Sequence, residues 1–226
     1  GQEVGLNFSY KIQKIQRGIS DAYFIAEDFL DGASSVLALS DNVFLGKNFF
    51  HYAEEALSKM KQEGGSIFGL PVPDPEKYGV IELDQNDNII GIEEKPLQPK
   101  SNLITPGMYF FDSSACEHVK TLKPSARGEL EITDLIEIYL SQNKLALQRL
   151  DENIIWHDTG NADALLTAAQ KVKRYEMENG IKVGSYEIAS YEKGFINKEA
   201  LLKIAEKFIK SDYGQYIKNI YLKDKN

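Results

Sequence analysis

Along the first half of the chain, short apolar runs alternate with stretches in which apolar residues recur every three or four positions. Leu6 to Ile12 reads as a strand, Ile19 to Leu30 as a helix, and Val36 to Leu39 as a short buried strand. Phe50, Ala53, Leu57 and Met60 line one stripe of a helix over Phe49 to Met60, and Ile67 to Val72 predicts a third strand. This alternation predicts an α/β fold with a doubly wound, mostly parallel sheet. From Tyr78 onward the pattern changes. Val80 to Leu83 and Ile89 to Ile92 flank the polar turn Gln85-Asn86-Asp87-Asn88, which predicts a hairpin, and Met108 to Phe111 adds a strand. Ser114 with Glu117 predicts a capping box before a short helix. Glu131 to Leu140, Ala162 to Glu178 and Lys198 to Lys210 predict longer helices, the last capped by Asn197.

Composition narrows the partners. The 226 residues are 42% hydrophobic, enough for one core and too few to suggest several domains. A formal net charge of -8 makes a nucleic-acid backbone or an anionic membrane a poor partner. A phosphate ligand would need a local cluster of cations, for which Lys95, Lys100 and Arg127 are candidates. Cys116 is the one cysteine and permits no internal disulfide, which suits a reducing cytoplasm. No apolar run approaches the length of roughly eighteen residues that marks a membrane span, and no signal-peptide pattern is present. His51, His118 and His157 lack paired metal-ligand spacing, which argues against zinc.

Three groups of residues carry candidate chemistry. Asp41 follows a buried strand, and Asp158 follows the apolar stretch Ile154 to Trp156. Ligands of open α/β sheets bind beyond the carboxyl ends of strands, where two such carboxylates can hold Mg²⁺ against nucleotide phosphates. A turn residue capping the next element is the plain alternative for Asp41. Gln13 lies past the first strand and Gly18 opens a helix. An exposed amide can read a pyrimidine edge, and free amides at a helix start favour anions; on spacing alone an ordinary glycine-containing strand-to-helix turn is the plainer reading. Glu93-Glu94-Lys95-Pro96 ends an apolar run, and a carboxylate beside an ammonium suits a hydroxylated, phosphorylated ligand. A solvated strand exit is the alternative there.

In order, Tyr78-Gly79-Val80, Glu93-Glu94-Lys95-Pro96, Thr105-Pro106-Gly107-Met108-Tyr109-Phe110, Lys123-Pro124-Ser125-Ala126-Arg127-Gly128-Glu129-Leu130-Glu131-Ile132-Thr133-Asp134 and Trp156-His157-Asp158-Thr159-Gly160 resemble the sugar-phosphate nucleotidyltransferases, and among them the glucose-1-phosphate thymidylyltransferases. The resemblance implies a Rossmann-like fold. It also implies transfer of a thymidylyl group from dTTP to glucose-1-phosphate, giving dTDP-glucose and pyrophosphate for deoxysugar synthesis. Mg²⁺ falls to Asp41 and Asp158. Gln13 and Gly18 fall on the thymine side, while Tyr78, Gly79, Glu94, Thr105 and Trp156 surround the sugar. Lys95 and Arg127 hold its phosphate. A cytoplasmic homo-oligomer, commonly a tetramer, is the implied assembly. One domain is expected, with 1–75 in the nucleotide half, 76–160 in the sugar-phosphate half and 161–226 a helical C-terminal region.

The chain departs from the family pattern in places. Ser40 replaces a usual glycine, Lys14-Ile15-Gln16-Arg17 replaces a Pro-rich loop, and Pro106 replaces a small polar residue. Glu192 stands where the family's regulatory nucleotide site carries arginine, so feedback control there is not expected. The Gly-Gly-x-Gly-Thr-Arg motif does not occur, and about 70 residues of strand-helix-strand-helix pattern lack a counterpart. The expectation is therefore an N-terminally incomplete sheet with weak or no turnover by this chain alone. A non-catalytic sugar-nucleotide-binding or regulatory subunit is the alternative function. A metal-dependent glycosyltransferase is more distant, because the Asp41 segment holds no Asp-x-Asp.

Overall fold

The computed structural model describes residues 1–223. These fall into two compact units, residues 11–168 and residues 1–10 with 169–223. In the first unit, α1 (Asp21–Leu30) leads into β1 (Ser35–Ala38) and β2 (Asn42–Leu45), followed by α2 (Phe49–Glu63) and β3 (Gly65–Pro71). Then come β4 (Gly79–Leu83), β5 (Ile89–Glu94), β6 (Leu103–Thr105), β7 (Met108–Phe111), α3 (Ala115–Val119), α4 (Ile132–Ser141), β8 (Leu145–Arg149) and β9 (Ile155–Asp158). The central sheet runs β1-β7-β3-β6-β4-β5, with β8 also on β3, and β2 pairs with β9 in a separate ribbon.

Neighbouring residues of the central strands point to opposite faces, and both faces are buried. Ile67, Ile81, Tyr109 and Phe111 pack with Tyr23 of α1, Val119 of α3 and Leu135, Ile136 and Tyr139 of α4. Phe68, Val80, Ile104 and Phe110 pack on the other face with Ala56 and Met60 of α2. The stacked rings of Phe111 and Tyr139, 4.8 Å apart, tie β7 to α4. The α/β, doubly wound class expected from the sequence is what the chain forms.

Strand direction departs from the mostly parallel sheet expected. Only β3 and β8 pair in parallel among the described strands; the other pairings are antiparallel. The strand–helix alternation does orient β1 and β3 alike. However, β7, which comes later in the chain, enters between them and runs opposite to both. Alternation in sequence specifies direction, whereas adjacency depends on which later strand fills the gap.

Leu6 to Ile12 forms no strand. It has no ladder partner, Phe8, Tyr10 and Ile12 are exposed, and residues 1–10 belong to the second unit. The Ser114 side chain caps no helical amide. Its hydroxyl donates instead to Asp112 Oδ1 at 2.5 Å, and Glu117 pairs with Lys120. The second unit contains α6 (Tyr186–Glu192), α7 (Lys198–Lys207) and α8 (Asp212–Lys223), gathered around Val4, Ile188, Leu201, Ile204 and Ile217. Asn197 caps α7 as expected, accepting from Ala200 N at 3.0 Å. The long helix predicted from Ala162 is α5 (Ala162–Asn179).

Candidate functional site

Gly79 is the keystone of the cluster around Glu94. It opens β4 and lies between two neighbours in register, Glu94 at the end of β5 and Thr105 at the end of β6. A Cβ here would meet Thr133 Cγ2 at 2.8 Å and Thr105 Cγ2 at 3.1 Å, so only glycine lets α4 close down on this row. The backbone then turns at Lys95, whose φ of 46° is left-handed, and Lys95 N donates to Tyr78 O at 2.9 Å. That turn puts the Lys95 ammonium 3.9 Å from Glu94.

Around Glu94 the cations and carboxylates are interleaved. Arg127 reaches Glu131 by a fork, Nη2 to Oε2 at 2.8 Å and Nε to Oε1 at 3.1 Å. Its Nη2 also lies 3.5 Å from Glu94 and 3.4 Å from Glu129. Glu131 is buried, and Ser125 Oγ donates to it at 2.6 Å, so it fixes the guanidinium rather than competing for ligand. Burial raises the Glu94 carboxyl above its ordinary range, and the charge of Glu131 adds to this. Lys95, Arg127 and the Thr133 hydroxyl, which donates at 3.3 Å, pull it back only in part. Glu131 shifts the other way: burial pushes it up, but the Arg127 and Ser125 bonds outweigh that and lower it.

The ribbon of β2 and β9 carries the two aspartates. Asp158 pairs in register with Asn42, and Asp41 precedes Asn42, so the aspartates are diagonal neighbours at one end of the ribbon. Thr159 N and Oγ1 both donate to Asp41 O at 2.8 Å, locking that corner. Each carboxylate spends Oδ1 locally: Asp41 accepts from Asn42 Nδ2 and Asp158 from Gly160 N. No group of three or more His, Cys, Asp or Glu side chains could hold a metal among the described residues. Two carboxylates completed by phosphate oxygens and water are nonetheless the donor set Mg²⁺ favours over an all-protein cage, so the residues fit such an ion.

Trp156 joins the halves. Its ring meets Tyr78 edge-on at 5.0 Å, and its Nε1 donates to Asn42 Oδ1 at 2.8 Å. Burial raises the Tyr78 phenol, with a further contribution from Asp158. Buried Tyr109 is raised by desolvation and by the charges of both Glu94 and Asp41. Gln13 and Gly18 lie together in an open groove of about 360 Å³ with Gln16, Ile19, Leu37 and Leu39. Gln13 Nε2 donates to Gly18 O at 3.2 Å and to Asp21 Oδ2 at 2.9 Å. Gly18, with φ of 101°, brings its backbone against Leu130, where a Cβ would sit 2.5 Å from the carbonyl oxygen.

The structure thus brings Tyr78, Gly79, Glu94, Lys95, Thr105 and Arg127 into one cluster; Trp156 meets it at Tyr78, and Asn42 joins Trp156 to Asp41 and pairs in register with Asp158. Gln13 and Gly18 line a groove beside the end of β1 that is also lined by Glu129, an ion-pair partner of Arg127. Sequence reasoning passed over Asn42, Glu131 and Thr133. Glu131 and Thr133 stand inside a motif read for Arg127 alone, and nothing in the pattern of Ser40-Asp41-Asn42 signals a half-buried indole partner.

Carboxylates at the end of a strand ribbon, with a cluster of interleaved cations and acids on the neighbouring sheet, are side chains of the types that can handle phosphorylated ligands in an α/β protein. The chain belongs to the nucleotidyl transferase family, whose sequence pattern matches residues 1–175. It is 39% identical over 217 residues to the glucose-1-phosphate thymidylyltransferase of Xanthomonas campestris, covering 96% of this chain and 73% of that protein. The Mycobacterium tuberculosis protein of the same description is 38% identical over 218 residues, with 96% and 74% covered. A Bacillus anthracis structure described as a glucose-1-phosphate thymidylyltransferase in complex with sucrose superposes with TM-score 0.68 at 35% identity, covering 82% of this chain and 71% of that one. A UDP-glucose pyrophosphorylase shares the fold, with TM-score 0.66 at 22% identity over 74% of this chain and 66% of that one. The family resemblance read from the sequence holds. Enzymes of this family generally act with a divalent metal. No helix among the described residues is long and apolar enough to cross a membrane.

Proposed function

We propose that this chain serves thymidylyl transfer from dTTP to glucose-1-phosphate, with Mg²⁺ held by Asp41 and Asp158. The row Glu94–Gly79–Thr105, with Lys95 and Arg127 alongside, is the observation that carries this reading. It supports a sugar whose hydroxyls meet Glu94 and the Gly79 backbone, against a wall of Tyr78 and Trp156. Lys95 holds the phosphate, while Arg127 approaches it from a guanidinium already oriented by Glu131. The Gln13–Gly18 groove, with apolar Ile19, Leu37 and Leu39, suits a flat pyrimidine.

In the reaction, a phosphate oxygen of glucose-1-phosphate attacks the α-phosphorus of dTTP. A new oxygen–phosphorus bond forms as the bond to the bridging β-phosphate oxygen breaks, and pyrophosphate leaves with that electron pair. When bound, Mg²⁺ neutralises charge on the phosphates. The protein's own part is positioning and charge compensation, so no nucleophilic side chain is required. A cytoplasmic homo-oligomer is the matching expectation for its setting.

Pyrophosphate release from dTTP and glucose-1-phosphate with Mg²⁺ tests the activity. Calorimetric binding of glucose-1-phosphate, lost in Lys95→Met, tests the site even where turnover is slow. A folded chain that neither releases pyrophosphate nor binds glucose-1-phosphate overturns the proposal. Binding of dTDP-glucose without turnover favours a non-catalytic subunit.

A further inference from the structure

Asn42 makes three hydrogen bonds that join parts of the site remote in sequence. Its Oδ1 accepts from Trp156 Nε1 at 2.8 Å and from Gly107 N at 3.2 Å, and its Nδ2 donates to Asp41 Oδ1 at 2.8 Å. The orientation of the amide is dictated by its partners. An indole N–H and a backbone N–H can only donate, while a carboxylate can only accept, so a flipped amide would lose all three bonds. Gly107 is shaped to this contact, because a Cβ there would lie 2.9 Å from Asn42 Cγ and Nδ2. Asn42 is also the residue in register with Asp158. A residue that merely capped a turn would need one of these bonds, not all three.

We propose that Asn42 is a positioning residue that couples the metal carboxylate to the wall of the sugar pocket. The inference rests on the reading that Asp41 holds the metal. Through its two ends, the Asn42 amide aligns the Asp41 carboxylate and holds the Trp156 indole against Tyr78. Movement of the indole is then felt at the metal ligand, and movement of the carboxylate at the sugar wall.

Trp156 is the only tryptophan, so emission of the ligand-free protein reports the indole directly. Asn42→Ala is expected to shift that emission with no metal or substrate present. Mn²⁺ titrated by electron spin resonance in the presence of dTTP reads the other end. Asn42→Ala should weaken Mn²⁺ binding about tenfold, the lower bound usual for removing a partner that orients a metal ligand. The decisive variant is Trp156→Phe, which deletes the indole donor and touches no carboxylate. It should weaken Mn²⁺ binding severalfold in the parent and have no effect in an Asn42→Ala background. Additive losses, or no loss, with parent Mn²⁺ binding intact overturn the coupling and leave the metal reading standing. A parent that binds no Mn²⁺ with dTTP, or does so undiminished in Asp41→Asn, overturns the metal reading and the coupling with it. Circular dichroism confirms that each variant is folded. Trp156→Phe keeps the test open should Asn42→Ala fail to fold.

Discussion

Glu94, proposed above to take the sugar hydroxyls, is a carboxylate whose burial weighs on the fold. Burial and the nearby Glu131 raise its carboxyl above the ordinary range, with Lys95 and Arg127 opposing. A raised carboxyl contributes stability that is complete below its unfolded pKa and is lost as pH rises through its folded value. Above that folded value, ionisation of Glu94 therefore weighs against folding. Glu94→Gln is expected to match or exceed the parent's urea midpoint at pH 7, while affinity for glucose-1-phosphate falls about tenfold or more, as befits loss of a charged hydrogen bond. A variant equally damaged in stability and binding would show the carboxylate to be structural. Asp112 runs the other way. Burial pushes it up, but hydrogen bonds from Ser114 and Tyr139 and the charge of Lys144 outweigh that and lower it. Its contribution is present above the unfolded pKa and lost as pH falls through the folded value. Denaturant midpoints measured down an acid series should fall for the parent, and less steeply for Asp112→Asn.

At the scale of elements, the apolar pattern located α1, α2, α4, β3 and the β4–β5 hairpin because each buries a face with its own period. Leu135 shows what that face contributes: it is fully buried in α4 against the sheet. Leu135→Ala is expected to cost about 2–5 kcal/mol, read as a drop in denaturant midpoint at unchanged slope. A cost below about 1 kcal/mol would mean that the core refills the cavity. Elements that lean on partners rather than on their own periodicity escaped notice. β2 has half-buried residues with no clean alternation and β8 is an edge strand of mixed polarity, whereas β9, the ribbon partner of β2, overlaps the apolar stretch Ile154 to Trp156 already read as leading to Asp158. Leu6 to Ile12 has the composition of a strand but no neighbouring strand to pair with in a ladder. The site was legible to the extent that its residues sit in contiguous motifs. Asn42 and Thr133 act through partners 114 and 39 positions away, which no local pattern encodes, whereas Glu131 acts on Arg127 four residues before it, inside a motif read for Arg127 alone.

Across the whole molecule, the two compact units have cores of different size. Residues 11–168 bury aromatic and aliphatic side chains on both faces of a seven-stranded sheet, while residues 1–10 and 169–223 gather around a smaller group centred on Leu201 and Ile217. Native-state hydrogen exchange should find the slowest amides in β3, with α6 to α8 opening at lower free energy. Equal protection in both units would show them to unfold as one. By itself, the sequence determined the α/β class, most helices, the hairpin and the family, because burial periodicity and motif spacing are local properties of the chain. The tertiary structure decided that β7 separates β1 from β3, that Gly79 draws Glu94 and Thr105 into one row, and that Asn42 ties Asp41 to Trp156. These are matters of adjacency between distant segments, settled only when the whole core closes and each buried polar group must find its partner.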